Sequence, residues 1–365
     1  MSVAEEAAQI RRWAETTGIF SQGRSAGVVQ HRDELGAGTM FSALAENAFI
    51  RKPITAVGFA ASERADHRVF IYTRRKLTIK EQKSLQSSTK TKAQVEFRVA
   101  QPFSVSAPTG VAAIPLELRN GRITCGSSIS VGNNREAGTL GALLRDTKGK
   151  LYGLSCNHVT GGCSNARVGL PIVAPGILDV GSDVALPRTI GRHYRAMQFI
   201  AGDPSAVANF RDNADAAIFS IEDDARHTSW QSDVTDTPNS VKLPEEDMAV
   251  EKVGRTTGHT SGIIESQLSG AVRIDYKMTA YHSAEENTNF AGSIFYQPLY
   301  IIRGKGQRFA GGGDSGALVF SREAGKPPFS VGIVIGGDPT NDVTYMLPLE
   351  PILKKLDCAL VSGLQ

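Results

Sequence analysis

The stretch Gly311-Gly312-Gly313-Asp314-Ser315-Gly316-Ala317-Leu318-Val319-Phe320 places a serine inside a glycine-rich run that leads directly into an apolar, strand-like segment. Glycine has no Cβ, so such a run adopts positive φ easily and lets another group approach the backbone. The N–H groups of Gly313 and Ser315 can then point at one oxygen, as an oxyanion hole requires. The stretch predicts either a reactive serine or a tight hairpin turn. A phosphate-binding loop is disfavoured, because no Lys-Ser/Thr pair follows and a strand comes next.

A serine hydroxyl needs a neighbouring base before it becomes a nucleophile. The segment 151–159 reads as an apolar strand that ends at His158, and Asp215 interrupts the start of another apolar segment, 213–219. Burying that carboxylate unpaired would cost several kcal/mol, so we expect a partner for it. The chain order His158, Asp215, Ser315 is that of the chymotrypsin-type triad and differs from the subtilisin and α/β-hydrolase orders.

The chain resembles the trypsin/chymotrypsin-like serine peptidases, most closely their bacterial branch. Four motifs carry the resemblance: Leu154-Ser155-Cys156-Asn157-His158-Val159, Asp215-Ala216-Ala217-Ile218, Gly313-Asp314-Ser315-Gly316, and Lys252-Val253-Gly254-Arg255-Thr256-Thr257-Gly258, which looks like the opening of the second barrel. The resemblance implies a mostly β, chymotrypsin-like double β-barrel. It also implies peptide-bond hydrolysis through an acyl-enzyme, with Ser315 as nucleophile, His158 as base, Asp215 as its orienter, and no cofactor.

The same resemblance implies where a peptide substrate would bind. Phe309, six residues before Ser315, falls where the family has the floor of its specificity pocket, which suggests an apolar P1 side chain. Gly332, Ile333 and Val334 lie in the strand whose edge pairs with the substrate backbone in this family. Main-chain hydrogen bonds along such an edge would give affinity, and pockets for alternate side chains would give selectivity.

Two departures from the family pattern concern the residues beside Ser315. Ala317 stands where the animal enzymes have a second glycine, and no Ile-Val-Gly-Gly-type start precedes the first barrel. Asp314 must therefore find a partner other than a newly cut amino terminus. Asp183 and Asp212 remain alternatives to Asp215 as orienter, although the strand-entry context favours Asp215.

The cysteines allow a metal-binding alternative. Cys156, His158 and Cys163 form a Cys-x-His-x4-Cys pattern with three zinc-ligand types. A structural zinc site needs a fourth ligand, and neither His193 nor His259 has a suitable spacing, so we predict no metal. Cys125 and Cys358 read as small core residues.

Composition indicates the compartment and excludes some classes of protein. The 365 residues include four cysteines and no Asn-x-Ser/Thr sequon, and residues 1–13 lack an apolar signal segment. These features favour a cytoplasmic protein with reduced thiols, and a disulfide between Cys156 and Cys163 is the alternative in an oxidising compartment. No apolar run approaches the roughly 18 residues that span a bilayer, so we expect no membrane association.

Basic side chains are concentrated near the amino terminus. Residues 51–100 hold 12 Lys/Arg against 4 Asp/Glu, whereas residues 101–365 hold 24 against 27. Arg74, Arg75 and Lys76 lie at the centre of this segment. Such residues are usually a solvated strand face, and a surface for nucleic acid or for a regulatory protein partner is the alternative.

The predicted organisation has four parts. They are a peripheral segment with a short helix over 4–16 (1–50), a small basic α+β leader domain (51–105), a first β-barrel with His158 and Asp215 (111–230), and a second barrel with Ser315 (240–365). We predict leader strands over 54–60, 68–73 and 94–99, a helix over 80–86, a linker at 102–108 and a closing helix after Pro348. A protease-fold scaffold with little turnover is the rival to a peptidase.

Overall fold

The computed structural model describes residues 1–21, 40–62, 67–102, 104–105, 116–181, 186–207, 209–281 and 285–365. The amino-terminal elements are α1 (Val3–Thr16), α2 (Ala43–Arg51), β1 (Ile54–Ala60), β2 (Arg68–Thr73), α3 (Ile79–Ser88) and β3 (Gln94–Val99). The three strands have the predicted bounds. Strands β2 and β3 run parallel because α3 crosses between them.

The helices at the amino terminus belong to the core of the leader domain. Helix α1 begins at Ser2 with a capping box to Glu5 and buries Ile10 and Trp13. The Trp13 ring lies 5.1 Å from that of Phe41, and the same apolar cluster includes residues of β1 and β2. The prediction that residues 1–50 form a peripheral segment is therefore wrong for α1 and α2, because their apolar faces are buried against the leader sheet.

The remaining elements up to residue 236 are β4 (Ser104–Val105), β5 (Leu118–Arg119), β6 (Arg122–Cys125), β7 (Ser128–Val131), β8 (Gly138–Thr139), β9 (Ala142–Asp146), β10 (Leu151–Ser155), α4 (Asn157–Thr160), β11 (Pro171–Ala174), β12 (Arg188–Ala196), β13 (Ala217–Ser220), β14 (His227–Gln231) and β15 (Thr235–Asp236). After them come β16 (Ala249–Gly254), β17 (Gly258–Leu268), β18 (Val272–Tyr281), β19 (Asn287–Tyr296), β20 (Tyr300–Gly304), β21 (Leu318–Ser321), β22 (Phe329–Asp338), β23 (Val343–Pro348), α5 (Leu349–Leu356) and β24 (Cys358–Leu360).

Most of these strands form two barrels, and β4, β18 and β19 form a separate sheet. The second barrel is closed, because β16-β21-β22-β23-β20-β17 are neighbours in that order and β16 also pairs with β17. The first is a curled sheet of order β24-β9-β10-β13-β12-β11-β7-β8, with a smaller sheet β15-β14-β6-β5 beside it. The strand order confirms the predicted mostly β, double-barrel architecture with an α+β unit ahead of it.

The leader domain is fused to the second barrel through a continuous sheet. Strand β1 pairs with the far end of β17, where Gly58 lies opposite Leu268. At this junction the Tyr72 hydroxyl donates to Glu265 at 2.7 Å. Within the predicted linker, 104–105 form β4, which pairs with β18; residues 103 and 106–108 lie outside the described part. The linker prediction therefore misses a second sheet contact between the two units.

The carboxyl terminus closes the molecule as predicted. Helix α5 follows Pro348 and buries its apolar stripe, namely Leu349, Ile352, Leu353 and Leu356. Leu360 lies beyond this helix in β24, where it pairs with Leu144 of the first barrel. The chain thus returns from the second barrel to the first. None of the described helices is both long enough and apolar enough to cross a membrane.

Candidate active site

Strand pairing in the first barrel brings His158 and Asp215 together. Strands β10 and β13 are antiparallel, with Ser155 opposite Ala217, so the residues after β10 lie beside those before β13. His158 lies in the one-turn helix α4. Its N–H donates to Asp215 Oδ1 at 3.0 Å, and its Nδ1 lies 2.5 Å from Asp215 Oδ2. The carboxylate therefore fixes both the backbone and the ring of the histidine.

The two alternative aspartates lie elsewhere or outside the described residues. Asp212 is exposed and forms an ion pair with Lys355 at 2.6 Å. Asp183 is outside the described part of the chain. The structure therefore places Asp215, of the three candidates, against the imidazole.

Thr139 of β8 joins the Ser315 turn to the first barrel. Its N–H donates to the Ser315 carbonyl at 2.9 Å, and its hydroxyl donates to the Gly313 carbonyl at 3.0 Å. Its own carbonyl accepts from the Ser155 hydroxyl at 2.8 Å. Since Ser155 ends the strand that leads to His158, these bonds place the serine turn beside the histidine helix.

The Ser315 side chain is 8% exposed, which leaves a small opening to solvent. Its hydroxyl donates to the Ile335 carbonyl at 3.4 Å, close to the limit for a hydrogen bond. Among the described residues no hydrogen bond joins this hydroxyl to the His158 ring. Such bonds are often long in free enzymes and shorten when substrate is bound.

The peptide plane before Gly313 has a fixed orientation. The Thr256 hydroxyl donates to the Gly312 carbonyl at 2.6 Å. In a trans peptide the N–H points opposite to the carbonyl, so the Gly313 N–H faces away from Thr256. A Cβ on Gly313 would lie 2.3 Å from Arg255 Nη1, and its φ is +102°, so glycine is required here for two reasons.

The peptide plane before Ser315 is fixed in the same way. The Asp314 carbonyl accepts from the Ala317 N–H at 3.0 Å. The Ser315 N–H therefore points away from that bond. Within the part of the chain that the structure describes, neither this N–H nor that of Gly313 donates to a protein acceptor. Both are available to an external oxygen.

Asp314 has the partner that the sequence left open. Its carboxylate is fully buried 3.2 Å from Lys252 Nζ. It also accepts from the N–H groups of Gly311 at 2.8 Å and Thr256 at 2.7 Å, and from the Thr257 hydroxyl at 2.7 Å. Burial raises the pKa of Asp314, but the Lys252 charge and these hydrogen bonds lower it by more. An internal lysine therefore anchors the serine turn.

Electrostatics favour the protonated form of His158. Burial lowers the pKa of His158, but the charge and hydrogen bond of Asp215 and the charge of Glu136 raise it by more, so the net shift is upward. The pair can therefore hold a proton that arrives at the imidazole during a reaction.

Sequence reasoning missed two tyrosines at this site. The Tyr276 hydroxyl donates to Asp215 Oδ2 at 3.0 Å and lies 2.7 Å from the Tyr296 hydroxyl. Both side chains are fully buried. Buried tyrosines need partners for their hydroxyls, and that rule was the available signal. No spacing in the sequence linked them to Asp215.

The predicted role of Phe309 requires correction. Its side chain is 0% exposed and belongs to the apolar core of the second barrel. Its backbone is also engaged, because the N–H donates to Asp342 at 3.0 Å and the carbonyl accepts from Thr260 at 2.7 Å. A side chain without exposed surface cannot line the floor of an open pocket.

The predicted substrate edge also requires correction. Gly332 and Ile333 pair with β21 on one side and with β23 on the other, and the Val334 carbonyl accepts from the Gly316 N–H at 2.8 Å. Residues 332–334 are therefore interior to the sheet and have no free edge. The pairing with β21 ends at Ile333, so the edge that faces the serine turn begins at Ile335.

The residues of the Cys-x-His-x4-Cys pattern do not come together as one group of ligand atoms. The group with adjacent ligand atoms contains Cys156, His158 and Asp215, whereas Cys163 is not part of it. Burial raises the pKa of the Cys156 thiol well above its usual range, and that thiol donates to the Val334 carbonyl at 3.2 Å.

The remaining predicted residues lie away from these contacts. Arg74, Arg75 and Lys76 are exposed in the turn after β2 of the leader domain. Cys125 is buried as expected, whereas Cys358 is only partly buried.

No protein-family model and no curated protein matches the sequence. Solved structures are similar to part of it. Thermobifida fusca protease A is 17% identical, with 66% of this chain and 98% of that chain covered and a TM-score of 0.41. Nocardiopsis protease is 15% identical, with 64% of this chain and 96% of that chain covered and a TM-score of 0.40. Cellulomonas bogoriensis chymotrypsin is 16% identical, with 66% of this chain and 98% of that chain covered and a TM-score of 0.39.

These neighbours are bacterial trypsin/chymotrypsin-like serine proteases, and the likeness concerns the fold alone. The strand order of this chain defines the architecture independently of these neighbours. A closed six-stranded barrel lies beside a curled sheet, and His158, Asp215 and the Ser315 turn meet where the two join. The chain has the chymotrypsin-like double-barrel fold.

Proposed function

We propose that this protein is a serine endopeptidase that hydrolyses peptide bonds through an acyl-enzyme. The observation that carries the proposal is the buried contact between His158 and Asp215, in which the histidine ring and N–H each meet one carboxylate oxygen. A histidine held in this way beside a glycine-rich serine turn has the parts needed for nucleophilic catalysis.

The mechanism follows from these positions. His158 Nε2 accepts the Ser315 proton as the hydroxyl oxygen attacks the carbonyl carbon of the substrate. The N–H groups of Gly313 and Ser315 stabilise the resulting oxyanion. His158 then donates its proton to the leaving amine, and a water molecule attacks the acyl-enzyme by the same route. Asp215 keeps the proton on Nδ1 and stabilises the imidazolium.

A peptide in extended conformation is the substrate that suits this site. We place its backbone along residues 335–337, where β22 has passed the end of β21 and still pairs with β23 through Gly336 and Gly337. Hydrogen bonds to this edge would bind any sequence, and side-chain pockets would provide selectivity. The regulatory role of Arg74, Arg75 and Lys76 stays a hypothesis, which salt-dependent binding of nucleic acid or a protein partner would test.

We also propose a cytoplasmic location in a bacterium. The four cysteines support it, because all are free thiols and three are buried. Reduced thiols are the usual state in the cytoplasm.

The rival function is a protease-fold scaffold with little turnover. It is favoured by one observation, the Ser315 hydroxyl that donates to the Ile335 carbonyl instead of the imidazole. A fluorophosphonate probe separates the two, because it reacts only with an activated serine. We expect labelling of the wild type, none of Ser315→Ala, and full labelling of Ser321→Ala, which removes a buried hydroxyl that has no hydrogen-bond partner among the described residues.

Hydrolysis is tested separately on natural sequences. A denatured bacterial protein extract is incubated with wild type or Ser315→Ala, and new amino termini are mapped by mass spectrometry. We expect new termini with the wild type alone. Probe labelling without any new termini would contradict endopeptidase activity, and the absence of labelling would favour the scaffold.

A further inference from the structure

The two tyrosines at Asp215 come from a hairpin that is not part of either barrel. Strands β17 and β20 pair directly in the closed barrel, and the hairpin of β18 and β19 is inserted between them in sequence. This hairpin forms its own sheet with β4, the short strand that leaves the leader domain. Val105 of β4 lies opposite Tyr276 of β18.

The hydrogen-bond directions in this cluster can be assigned. An ionised carboxylate only accepts, so the single Tyr276 proton is donated to Asp215 Oδ2 at 3.0 Å. Tyr296, 2.7 Å away, must then donate to Tyr276. The bonds form a chain from Tyr296 through Tyr276 and Asp215 to His158. Bonds in such a chain polarise one another, so Tyr296 makes Tyr276 a stronger donor.

The tyrosines remain donors across the whole working pH range. Burial, and after it the charge of Asp215, raises the pKa of Tyr276 and of Tyr296 well above the usual range. The Tyr276 ring also lies 5.9 Å from the His158 ring and 4.9 Å from the ring of Phe199. The hydroxyl therefore has a fixed position relative to the carboxylate.

Asp215 Oδ2 is shared between two partners. It lies 2.5 Å from His158 Nδ1 and accepts from Tyr276, so both act on the same oxygen. A donor on that oxygen withdraws part of the negative charge that would otherwise face the imidazolium. It also prevents the carboxylate from rotating, because Oδ1 is held by the His158 N–H.

We propose that Tyr276, supported by Tyr296, is a positioning residue that orients Asp215 and limits the negative charge that it presents to His158. The inference deepens the peptidase proposal and rests on it for its effect on turnover. The hairpin makes this position dependent on the leader domain, because the strand that leaves the leader pairs with β18 at Tyr276 itself.

Among the described residues, the ionisable groups around His158 and Asp215 come from six places. They are Glu136 before β8, Cys156 before α4, Cys163 after α4, Asp215 before β13, Tyr276 in β18 and Tyr296 in β19. Burial raises the pKa of both thiols, and the tyrosines stay protonated, so these four groups stay neutral. Burial also raises the pKa of Glu136. A change in the titration of His158 on removing one hydroxyl therefore reports on Asp215.

The first test is the pH profile of peptide hydrolysis. We expect Tyr276→Phe to lower kcat/KM about tenfold, since a hydrogen bond to a charged group is lost. The acid limb should move to higher pH by about half a unit or more, because the undivided charge of Asp215 holds the proton on His158 more tightly. Tyr296→Phe should give a smaller shift in the same direction, and the double variant should resemble Tyr276→Phe alone.

The second test requires no turnover. The imidazole of His158 is titrated by NMR in the full chain labelled with ¹⁵N-histidine, and Tyr72→Phe is the matched control. Tyr72 is a fully buried tyrosine whose hydroxyl also donates to a buried carboxylate, that of Glu265. We expect the His158 midpoint to rise in Tyr276→Phe and to stay unchanged in Tyr72→Phe.

An unchanged or lowered midpoint in both Tyr276→Phe and Tyr296→Phe would overturn the inference. If the chain shows no peptidase activity, the NMR titration still decides whether Tyr276 acts on the pair of Asp215 and His158. The failure of the peptidase proposal and the failure of this inference are therefore distinguishable. If Tyr276→Phe does not fold, the same titration of His158 in Tyr296→Phe tests the inference.

Discussion

Asp215 and Asp314 are both wholly buried carboxylates at the candidate site, yet their surroundings differ. Asp314 lies 3.2 Å from Lys252 Nζ and accepts from several backbone N–H groups. Asp215 has no Lys or Arg partner among the described residues and meets His158 and Tyr276 instead. The charge of Asp314 faces the Lys252 ammonium, whereas that of Asp215 faces a cation only when His158 is protonated.

The difference indicates a structural role for Asp314 and a chemical role for Asp215. The Lys252 ammonium beside Asp314 helps to fix the turn that carries Ser315, and the proposed reaction moves no proton there. A titratable partner beside Asp215 lets the site accept and release one proton. The two pockets should therefore respond differently to substitution and to pH, and that contrast can be tested.

The largest expected effect is on turnover at the Asp215 pocket. Asp215→Asn keeps the shape of the side chain but removes its charge and disturbs the tautomer of His158. We expect kcat/KM to fall by about 10⁴-fold, as in related triads, while the chain stays folded. Peptide hydrolysis measures kcat/KM, and circular dichroism shows whether the chain stays folded. Asp212→Asn, which changes only an exposed ion pair with Lys355, should leave both unchanged.

The next largest effect is on stability at the Asp314 pocket. Lys252→Met keeps the length of the side chain and leaves the Asp314 carboxylate buried without its cation. We expect the free energy of unfolding to fall by about 3–5 kcal/mol. Urea denaturation measures this free energy. Lys355→Met is the control, because the exposed ion pair of Lys355 with Asp212 should contribute less than about 1 kcal/mol. Equal losses in both variants would contradict a fixed-cation role for Lys252.

The smallest effect is a difference in pH dependence. The lowered pKa of Asp314 means that its pocket stabilises the fold above the unfolded value of about 3.9 and loses this as pH falls through the folded pKa. The raised pKa of His158 means that its pair stabilises most below about 6.5 and less as pH rises through the folded pKa.

Denaturation at two pH values measures this contrast. The stability cost of Asp215→Asn should be about 1 kcal/mol greater at pH 6 than at pH 9. The cost of Asp314→Asn should shrink in strong acid, because the pKa of Asp314 is lowered in the folded state. Parallel pH dependence of the two variants would remove the distinction between the pockets.

Local patterns in the sequence predicted the strands and helices that depend mainly on neighbouring residues. Alternating apolar residues gave the leader strands their bounds, and the spacing of Leu349, Ile352 and Leu356 predicted the closing helix. His158 and Asp215 were predicted as partners because a buried carboxylate needs a partner and because the chain order and motifs resemble those of the chymotrypsin-type triad. The antiparallel pairing of β10 with β13 is the physical reason that they meet.

The errors concern contacts that depend on how distant strands close. Tyr276 lies 61 residues from Asp215 in sequence, and no local pattern indicates which loop an inserted hairpin will meet. Gly332 and Ile333 were assigned to a free edge from the family resemblance, and one strand's sequence does not show which strands lie on either side of it. Phe309 was assigned to a pocket from its position six residues before Ser315 in the family pattern, and its apolar side chain suits a barrel core equally well.

The most direct measurement is the loss of activity when His158 and Ser315 are replaced singly and together. Wild type, His158→Ala, Ser315→Ala and the double variant are compared for kcat/KM on one peptide. If the residues act as a unit, the double variant should be no slower than Ser315→Ala alone. If the two single losses instead multiply in the double variant, His158 and Ser315 act independently, and the proposed mechanism is wrong.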